Sequence, residues 1–228
     1  RGFCRRESGS AEVCRKQKMG ITLAATRGTA TTSLHPGIEE IRRWMEQADP
    51  EPEHEYQVTR LALVLFDKLG PLHRLDGRAR TLLEAAALVH DIGMSISDRR
   101  HHKHSYELIK KHLFSMWRPE EVDLIALVAR YHRKTEPSAK HEEFVALRER
   151  DRVIVCKLAA ILRLADGLDR AHLSAVRDIE VVYDQTTVRL KLYAYRDCLT
   201  EIWGAQRKAG LFETVFSRQV TIGAVEQQ

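Results

Sequence analysis

Hydrophobic positions recur along most of the chain at the spacing of amphipathic helices. Between residues 58 and 69 the apolar side chains fall at every third or fourth position, and Gly70 and Pro71 then end the pattern. Residues 151–171 are apolar around most of a helical circumference, which predicts a central helix in a bundle. The predicted helices cover about residues 36–47, 52–69, 77–90, 119–132 and 151–171, and one more begins near residue 101.

The period of the pattern changes after residue 175. Apolar and polar residues alternate on both sides of Gln185 and Thr186, which is typical of a β-hairpin. A last helix is predicted over about residues 197–209, followed by a short segment that ends near residue 222. The predicted fold class is therefore mainly α, a helical bundle with a small C-terminal β-hairpin and helix.

Three regions are expected along the chain. Residues 1–36 mix Arg, Gly, Ser and Thr without a sustained period, and we expect a disordered or tag-like segment. Residues 37–175 should form the helical domain, and residues 176–228 an extension packed on it. A length of 228 residues suits one domain with such an extension.

Composition narrows the class of protein. The chain has no run of about 18 apolar residues, the minimum for a membrane helix, and its N-terminus has no apolar secretory core, so we expect a cytoplasmic protein without membrane contact. The four cysteines are far apart, which favours free thiols. The formal charge of +5 suits an anionic ligand and equally an ordinary basic surface.

Several polar residues interrupt helices that look buried. His90 and Asp91 end an apolar run, Asp166 lies within "ILRLADGL", and His54 opens an amphipathic helix. An unpartnered buried carboxylate costs several kcal/mol, so these residues need a partner. A divalent cation serves imidazole and carboxylate together. Taken singly, each residue is more often a hydrogen-bonded core histidine or an aspartate paired with a nearby arginine.

Four motifs carry a resemblance to a known family. They are "LVHDIG", "HHKHSYELI", "ARYHRK" and "LRLADGLDRAH", in this order and followed by the hairpin. The set resembles the HD superfamily of metal-dependent phosphohydrolases. It is most similar to the C-terminal HD-type domain of the exopolyphosphatase and guanosine pentaphosphate phosphatase family, over about residues 50–222. The resemblance implies an HD-type helical bundle.

The resemblance also implies a metal site of one or two divalent ions, of manganese, iron, magnesium or zinc. A first ion would be held by His54, His90, Asp91 and Asp166. A second would be held by His132 together with His101 or His104, with His102 in reserve. The alternative for residues 101–104 is a solvated helix start. Catalytic roles fall to Asp91, His132 and, if a single ion binds, Asp169 as general acid or base.

Basic residues accompany these positions in the sequence. Because guanidinium and ammonium groups suit phosphate, they are candidates for substrate binding, although a solvated face is the alternative. The candidates are Lys103, Arg133, Lys134, Arg163 and Arg170.

The function implied is a metal-dependent phosphohydrolase acting on a phosphate ester or anhydride, such as a nucleotide, a guanosine polyphosphate or a polyphosphate-like substrate. In the family that it resembles, an actin-like domain hydrolyses polyphosphate, and this sequence contains no such domain, so exopolyphosphatase activity is not implied. The alternative is a non-catalytic module that binds polyphosphate, nucleotide or RNA, or mediates dimerisation. The expected partner is a phosphorylated small molecule or polyphosphate; a homodimer is compatible with the sequence, and nucleic acid is not favoured.

Overall fold

The computed structural model describes residues 35–225, and helices dominate this part of the chain. The predicted disordered segment over residues 1–36 therefore lies almost wholly outside the described residues. The helices are α1 (Pro36–Ala48), α2 (Glu53–Lys68), α3 (Gly70–His73), α4 (Gly77–Leu88), α5 (His101–Lys111), α6 (Pro119–Arg130), α7 (Glu142–Val145), α8 (Glu149–Gly167), α9 (Leu199–Lys208) and α10 (Gly210–Phe216), with a 3₁₀ helix at Ile92–Ser95. The strands are β1 (Val176–Tyr183), β2 (Thr187–Ala194) and β3 (Gln219–Ala224).

The ends of the helices follow local signals in the sequence. The side chain of Asp76 accepts a hydrogen bond from the backbone of Ala79 at 3.0 Å and so caps α4. Pro119 occupies the first turn of α6, where its missing N–H leaves no bond unmade, and Glu121 accepts from the backbone N–H of Arg118 at 3.3 Å. These signals explain why the observed helices begin close to the predicted positions.

The centre of the bundle is α8. Every residue of this helix from Leu158 to Gly167 is buried, and α2, α4 and α6 pack against it. The prediction of a central helix from its continuous apolar character is confirmed. Short helices α3 and α7, of four residues each, were not predicted, because so few residues show no period.

The small sheet has one strand more than the predicted hairpin. Strands β1 and β2 pair in antiparallel fashion, and β3 lies parallel to β2, which gives the order β1-β2-β3. Helices α9 and α10 form the crossover between β2 and β3. The mainly α fold class with a minor β extension is confirmed, and β3 was missed because its partner strand is distant in sequence.

Two glycines allow α9 to approach α8 closely. A Cβ atom placed on Gly204 would lie 2.7 Å from the carbonyl oxygen of Gly167 and 2.8 Å from Cβ of Arg170. The two backbones therefore touch, which no larger residue would permit without displacement. This contact brings the C-terminal half of α9 to the end of α8.

No helix among residues 35–225 is both long enough and apolar enough to cross a membrane.

Candidate metal centre

Six histidines and aspartates from five parts of the bundle converge at the ends of helices. His54 lies in the first turn of α2 and Asp166 in the last turn of α8. The others are at an end of α5 or just beyond α4 and α6. All six are buried: His54, His90, Asp91, His101, His132 and Asp166.

The first group joins α2, the end of α4 and α8. It consists of His54, His90 and Asp166, whose ligand atoms all lie within 4.8 Å of one another. Nε2 of His54 is 3.7 Å from Oδ1 of Asp166. Two nitrogens and one oxygen at these separations can hold a divalent ion.

The second group lies beside the first and contains Asp91, His101 and His132. Oδ1 of Asp91 is 3.0 Å from Nε2 of His101 and 3.2 Å from Nε2 of His132. The same oxygen is 3.7 Å from Nε2 of His90, a member of the first group. Asp91 therefore connects the two groups, whereas the sequence had assigned it to the first alone.

The outer ring nitrogens, Nδ1, of His90 and His132 are hydrogen-bonded to the backbone, so that Nε2 of each ring faces the centre. Nδ1 of His90 donates to the carbonyl of Ala87 at 2.8 Å, and Nδ1 of His132 donates to that of Ala129 at 2.7 Å. Because each outer nitrogen carries the donated proton, the inner nitrogen keeps its lone pair for a ligand. A short turn after each helix, with the histidine three residues beyond its acceptor, produces this geometry.

Charge is concentrated in the centre. Burial raises the pKa of Asp91, but nearby His90 and close contacts with His101 and His132 outweigh burial and hold that pKa well below its usual value. For Asp166, burial is likewise outweighed, chiefly by Lys208, and the pKa is also low. Burial lowers the pKa of His90 to about 4. The centre therefore offers ionised carboxylates and, at His90, a neutral imidazole.

His54 behaves differently from His90. Burial lowers its pKa, but contacts with Asp166 and Asp169 outweigh burial and raise the pKa to about 10. A proton on this ring thus competes with a metal ion for Nε2. Within residues 35–225, Nε2 of His54 and Nε2 of His90 have no hydrogen-bond partner, although both atoms are buried. An unpaired buried polar atom costs about 1–3 kcal/mol, and a shared cation removes that cost, so the residues fit a divalent ion.

Asp169, predicted as a general acid or base, lies behind His54 and does not line the centre. Its Oδ2 accepts from Nδ1 of His54 at 2.8 Å, and its Oδ1 accepts from the backbone of Ser174 at 2.8 Å. Asp169 is fully buried, and both of its oxygens are engaged. This geometry suits a residue that orients His54, and the acid–base role of Asp169 stays a prediction.

The structure selects among the histidines of α5. His101 belongs to the second group, whereas His104 and His102 belong to neither. His104 instead packs against the 3₁₀ helix at Gly93, and His102 is buried beside His101 with ring centroids 6.3 Å apart. The alternatives for a second ion therefore reduce to His101.

A basic cleft of about 530 Å³ opens over the centre. Four of the five predicted phosphate-binding residues line it, namely Arg133, Lys134, Arg163 and Arg170, together with Asp91, His101, His132 and Asp166. Lys103 is exposed and does not line this cleft. The excess of cations over carboxylates in the cleft suits an anionic group.

Sequence reasoning missed a second source of cleft residues. Trp203, Arg207 and Lys208 of α9 line the same cleft, and the ammonium of Lys208 contacts Oδ2 of Asp166. The Arg207 guanidinium lies 4.7 Å from the ring centroid of Trp203. Trp203 and Arg207 are four residues apart, so they share one face of the helix. This spacing, together with the adjacent Gly204, could have indicated a closely packed helix with a functional face.

His172 was also missed as a site residue. Its ring stacks on that of His54, with centroids 3.7 Å apart and planes inclined by 3°. It is the last residue of the quoted motif "LRLADGLDRAH" and has a left-handed backbone conformation, with φ of 55°. The stacking covers one face of His54 and restricts the orientation of that ring.

A family model described as Ppx/GppA phosphatase, domain III, matches residues 39–202. The match covers most of the chain and includes all six residues of the candidate metal centre.

Proposed function

This chain belongs to the Ppx/GppA phosphatase family through its domain III, and on that premise we propose that it is a metal-dependent phosphohydrolase acting on a phosphate ester or anhydride. The observation that carries the proposal is the position of two buried groups of metal-ligating side chains, linked by Asp91, at the floor of a basic cleft. A phosphoryl group in that cleft would lie beside the ligands.

His54, His90 and Asp166 would hold one ion, and Asp91, His101 and His132 a second. When bound, divalent ions supply charge neutralisation at phosphoryl oxygens and make water a better nucleophile near neutral pH. Nitrogen and oxygen ligands in this mixture suit manganese, iron or zinc, with magnesium favoured less.

The cations of the cleft would bind and orient the phosphoryl group. Arg163 is buried and fixed by a hydrogen bond from Nη1 to the carbonyl of Tyr131 at 3.0 Å. Arg170 and Arg207 are exposed and line the cleft. Buried and exposed guanidinium groups together can stabilise negative charge that develops during transfer of the phosphoryl group.

Asp169 would act as a positioning residue. It keeps a proton on Nδ1 of His54, so that Nε2 faces the first group. A carboxylate behind a ligating histidine fixes the ring and raises its basicity.

A second candidate function is a non-catalytic module that binds polyanions. Two contacts favour it: Lys208 contacts Asp166, and Nη1 of Arg133 lies 2.9 Å from Nε2 of His101. In both contacts a cation of the chain lies against a side chain that a metal would use. Such a module would bind phosphate-rich ligands through the same cleft and would require no ion.

A hydrolysis screen separates the two candidates. The purified chain is assayed with Mn²⁺ against phosphate monoesters, diesters and inorganic tripolyphosphate, beside Asp91→Ala and the control Asp178→Ala, whose carboxylate lies on the sheet surface. The hydrolase predicts Mn²⁺-dependent turnover that Asp91→Ala abolishes and Asp178→Ala retains. Salt-sensitive binding of tripolyphosphate without turnover would instead favour the module.

Other sequence-based expectations stay predictions. They are the cytoplasmic location, a homodimer as one state compatible with the sequence, nucleic acid as a partner that is compatible but not favoured, and the division of the chain near residue 175. Exopolyphosphatase activity is not part of the proposal.

A further inference from the structure

A second cavity, of about 310 Å³, opens on the candidate metal centre from another side. It shares Asp91, Met94 and His172 with the basic cleft, so the two spaces meet at the candidate ligands. Its volume is close to the lower end of the range for small-molecule sites, roughly 300–1,000 Å³. One ligand could therefore extend from the basic cleft, past Asp91, into this second cavity.

The second cavity is lined by acidic and apolar side chains, whereas most of the charged side chains that line the basic cleft are Arg and Lys. Apolar side chains contribute part of its wall, including Met45, Ala48 and Ile92. The acids Asp49, Glu51 and Glu55 also line this cavity. None of the described residues that line it is Lys or Arg. A phosphate group beside Asp49, Glu51 and Glu55 would meet three carboxylates with no Lys or Arg among the described lining residues, which is unfavourable.

Glu55 contributes a buried carboxyl group to the wall of the second cavity. Its side chain is only 5% exposed, and its Oε2 has no hydrogen-bond partner within residues 35–225. A buried carboxyl oxygen in this situation gains from a ligand that can hydrogen-bond to it. A hydroxyl group is well suited, because it can donate to an ionised carboxylate and accept from a protonated carboxyl group.

Resting on the proposed function, we infer that the substrate is a phosphate monoester whose uncharged, hydroxyl-bearing part occupies this second cavity while its phosphoryl group lies in the basic cleft. In the reaction, the oxygen of water bonds to phosphorus and the ester P–O bond breaks. One proton of the water passes to the leaving oxygen, and the products are inorganic phosphate and an alcohol. A polyphosphate chain would not extend into the second cavity, because its charge would face Asp49, Glu51 and Glu55.

The test measures binding with two matched, non-hydrolysable probes in the presence of Mn²⁺. One is the phosphonate analogue of ribose 5-phosphate, and the other is methylphosphonate, which carries no sugar. The inference predicts that the sugar phosphonate binds at least about tenfold more tightly, the effect expected of roughly one or two added hydrogen bonds. Isothermal titration calorimetry gives both dissociation constants without any turnover.

Two variants fill the cavity from different sides. Ala48→Phe and Ser95→Phe place a ring within it and should remove the tenfold margin, while the dissociation constant of methylphosphonate changes by less than about twofold. Gln47→Phe is the control, since Gln47 is exposed and does not line this cavity. Circular dichroism and thermal melting establish that each variant folds.

The outcomes separate this inference from the proposed function. A wild-type margin that is missing, or one that survives in both filled variants, overturns the assignment of the second cavity even if esters are hydrolysed. A margin that disappears in the filled variants supports the assignment. If that margin is present but no monoester is hydrolysed with Mn²⁺, the hydrolase proposal fails while the cavity remains a binding site for sugar phosphates.

Discussion

Nδ1 of His54 lies 2.8 Å from Oδ2 of Asp169, and this bond joins α2 to the turn after α8. Both residues are buried, and the second oxygen of Asp169 is held by the backbone of Ser174. The aspartate therefore has little freedom to move, and it fixes the ring of His54 in front of His90 and Asp166. Metal affinity should depend on this pair, although Asp169 does not itself belong to either candidate ligand group.

Asp169→Asn tests the role of this bond. The amide keeps the shape of the side chain but removes the charge that stabilises the proton on Nδ1. Loss of such an outer partner typically lowers metal affinity about 10- to 100-fold, and we expect a decrease in this range for Mn²⁺ in a calorimetric titration. Asp178→Asn, at the surface of β1, is the control. Equal Mn²⁺ affinity in Asp169→Asn and wild type would contradict the positioning role.

Metal binding should release a proton at neutral pH. The pKa of His54 is raised to about 10, so in protein stripped of metal its ring is protonated at pH 7, and an ion must displace that proton from Nε2. Affinity should therefore rise with pH below about 10. His90, with a pKa of about 4, adds nothing to this dependence above about pH 5. Calorimetry in buffers of different ionisation enthalpy measures the number of protons, and a heat that does not depend on the buffer would contradict this prediction.

Gly204→Val should displace α9. Even the first carbon of the new side chain would lie 2.7 Å from the carbonyl oxygen of Gly167, so the helices must separate. Overpacking of this kind costs roughly 1–3 kcal/mol in the free energy of unfolding. Phosphate binding should weaken as well, because Arg207 and Lys208 move with α9. Gly223→Ala, which meets no atom within 4 Å, is the control in denaturant unfolding and phosphate titrations.

Ser105→Ala should destabilise the turn that carries His90 and Asp91. The Ser105 hydroxyl donates to the carbonyl of His90 at 2.7 Å and accepts from the N–H of Gly93 at 3.0 Å, and it is fully buried. Its removal leaves two backbone groups unpaired, at a cost of about 1–3 kcal/mol each. Urea unfolding of Ser105→Ala beside Thr81→Ala, whose half-buried hydroxyl donates to the carbonyl of Gly77 in its own helix, measures the difference. A loss no larger than that of Thr81→Ala would contradict this account of the turn.

The sequence predicted the helical bundle well, because each long helix carries its own apolar stripe and end signals. It also identified the residues that the structure brings together in the candidate metal centre. Local motifs sufficed for this, since His90, Asp91 and Asp166 interrupt apolar runs where a polar residue is costly. The closeness of His54 to Asp166, more than 100 residues away in the chain, was implied only by the family resemblance.

What the sequence did not predict depends on contacts between distant segments. The division of the ligands into two groups that share Asp91 follows from how α5 and α6 pack beside α4. The contribution of Arg207 and Lys208 depends on the contact between Gly167 and Gly204, and β3 depends on a crossover. Asp169 was predicted as an acid or base from its residue type, and its contacts with His54 and Ser174 could not be predicted because they depend on the fold around the end of α8.

The most direct test of the central claim is the number of Mn²⁺ ions that the chelator-treated protein binds, measured by electron paramagnetic resonance of the free ion during a titration. The account predicts saturable binding of one or two ions per chain in wild type and in Asp178→Ala, and loss of at least one site in Asp91→Ala without loss of helical structure. Wild-type protein that binds no Mn²⁺ in a saturable manner, or Asp91→Ala that binds as many ions as wild type, would contradict it.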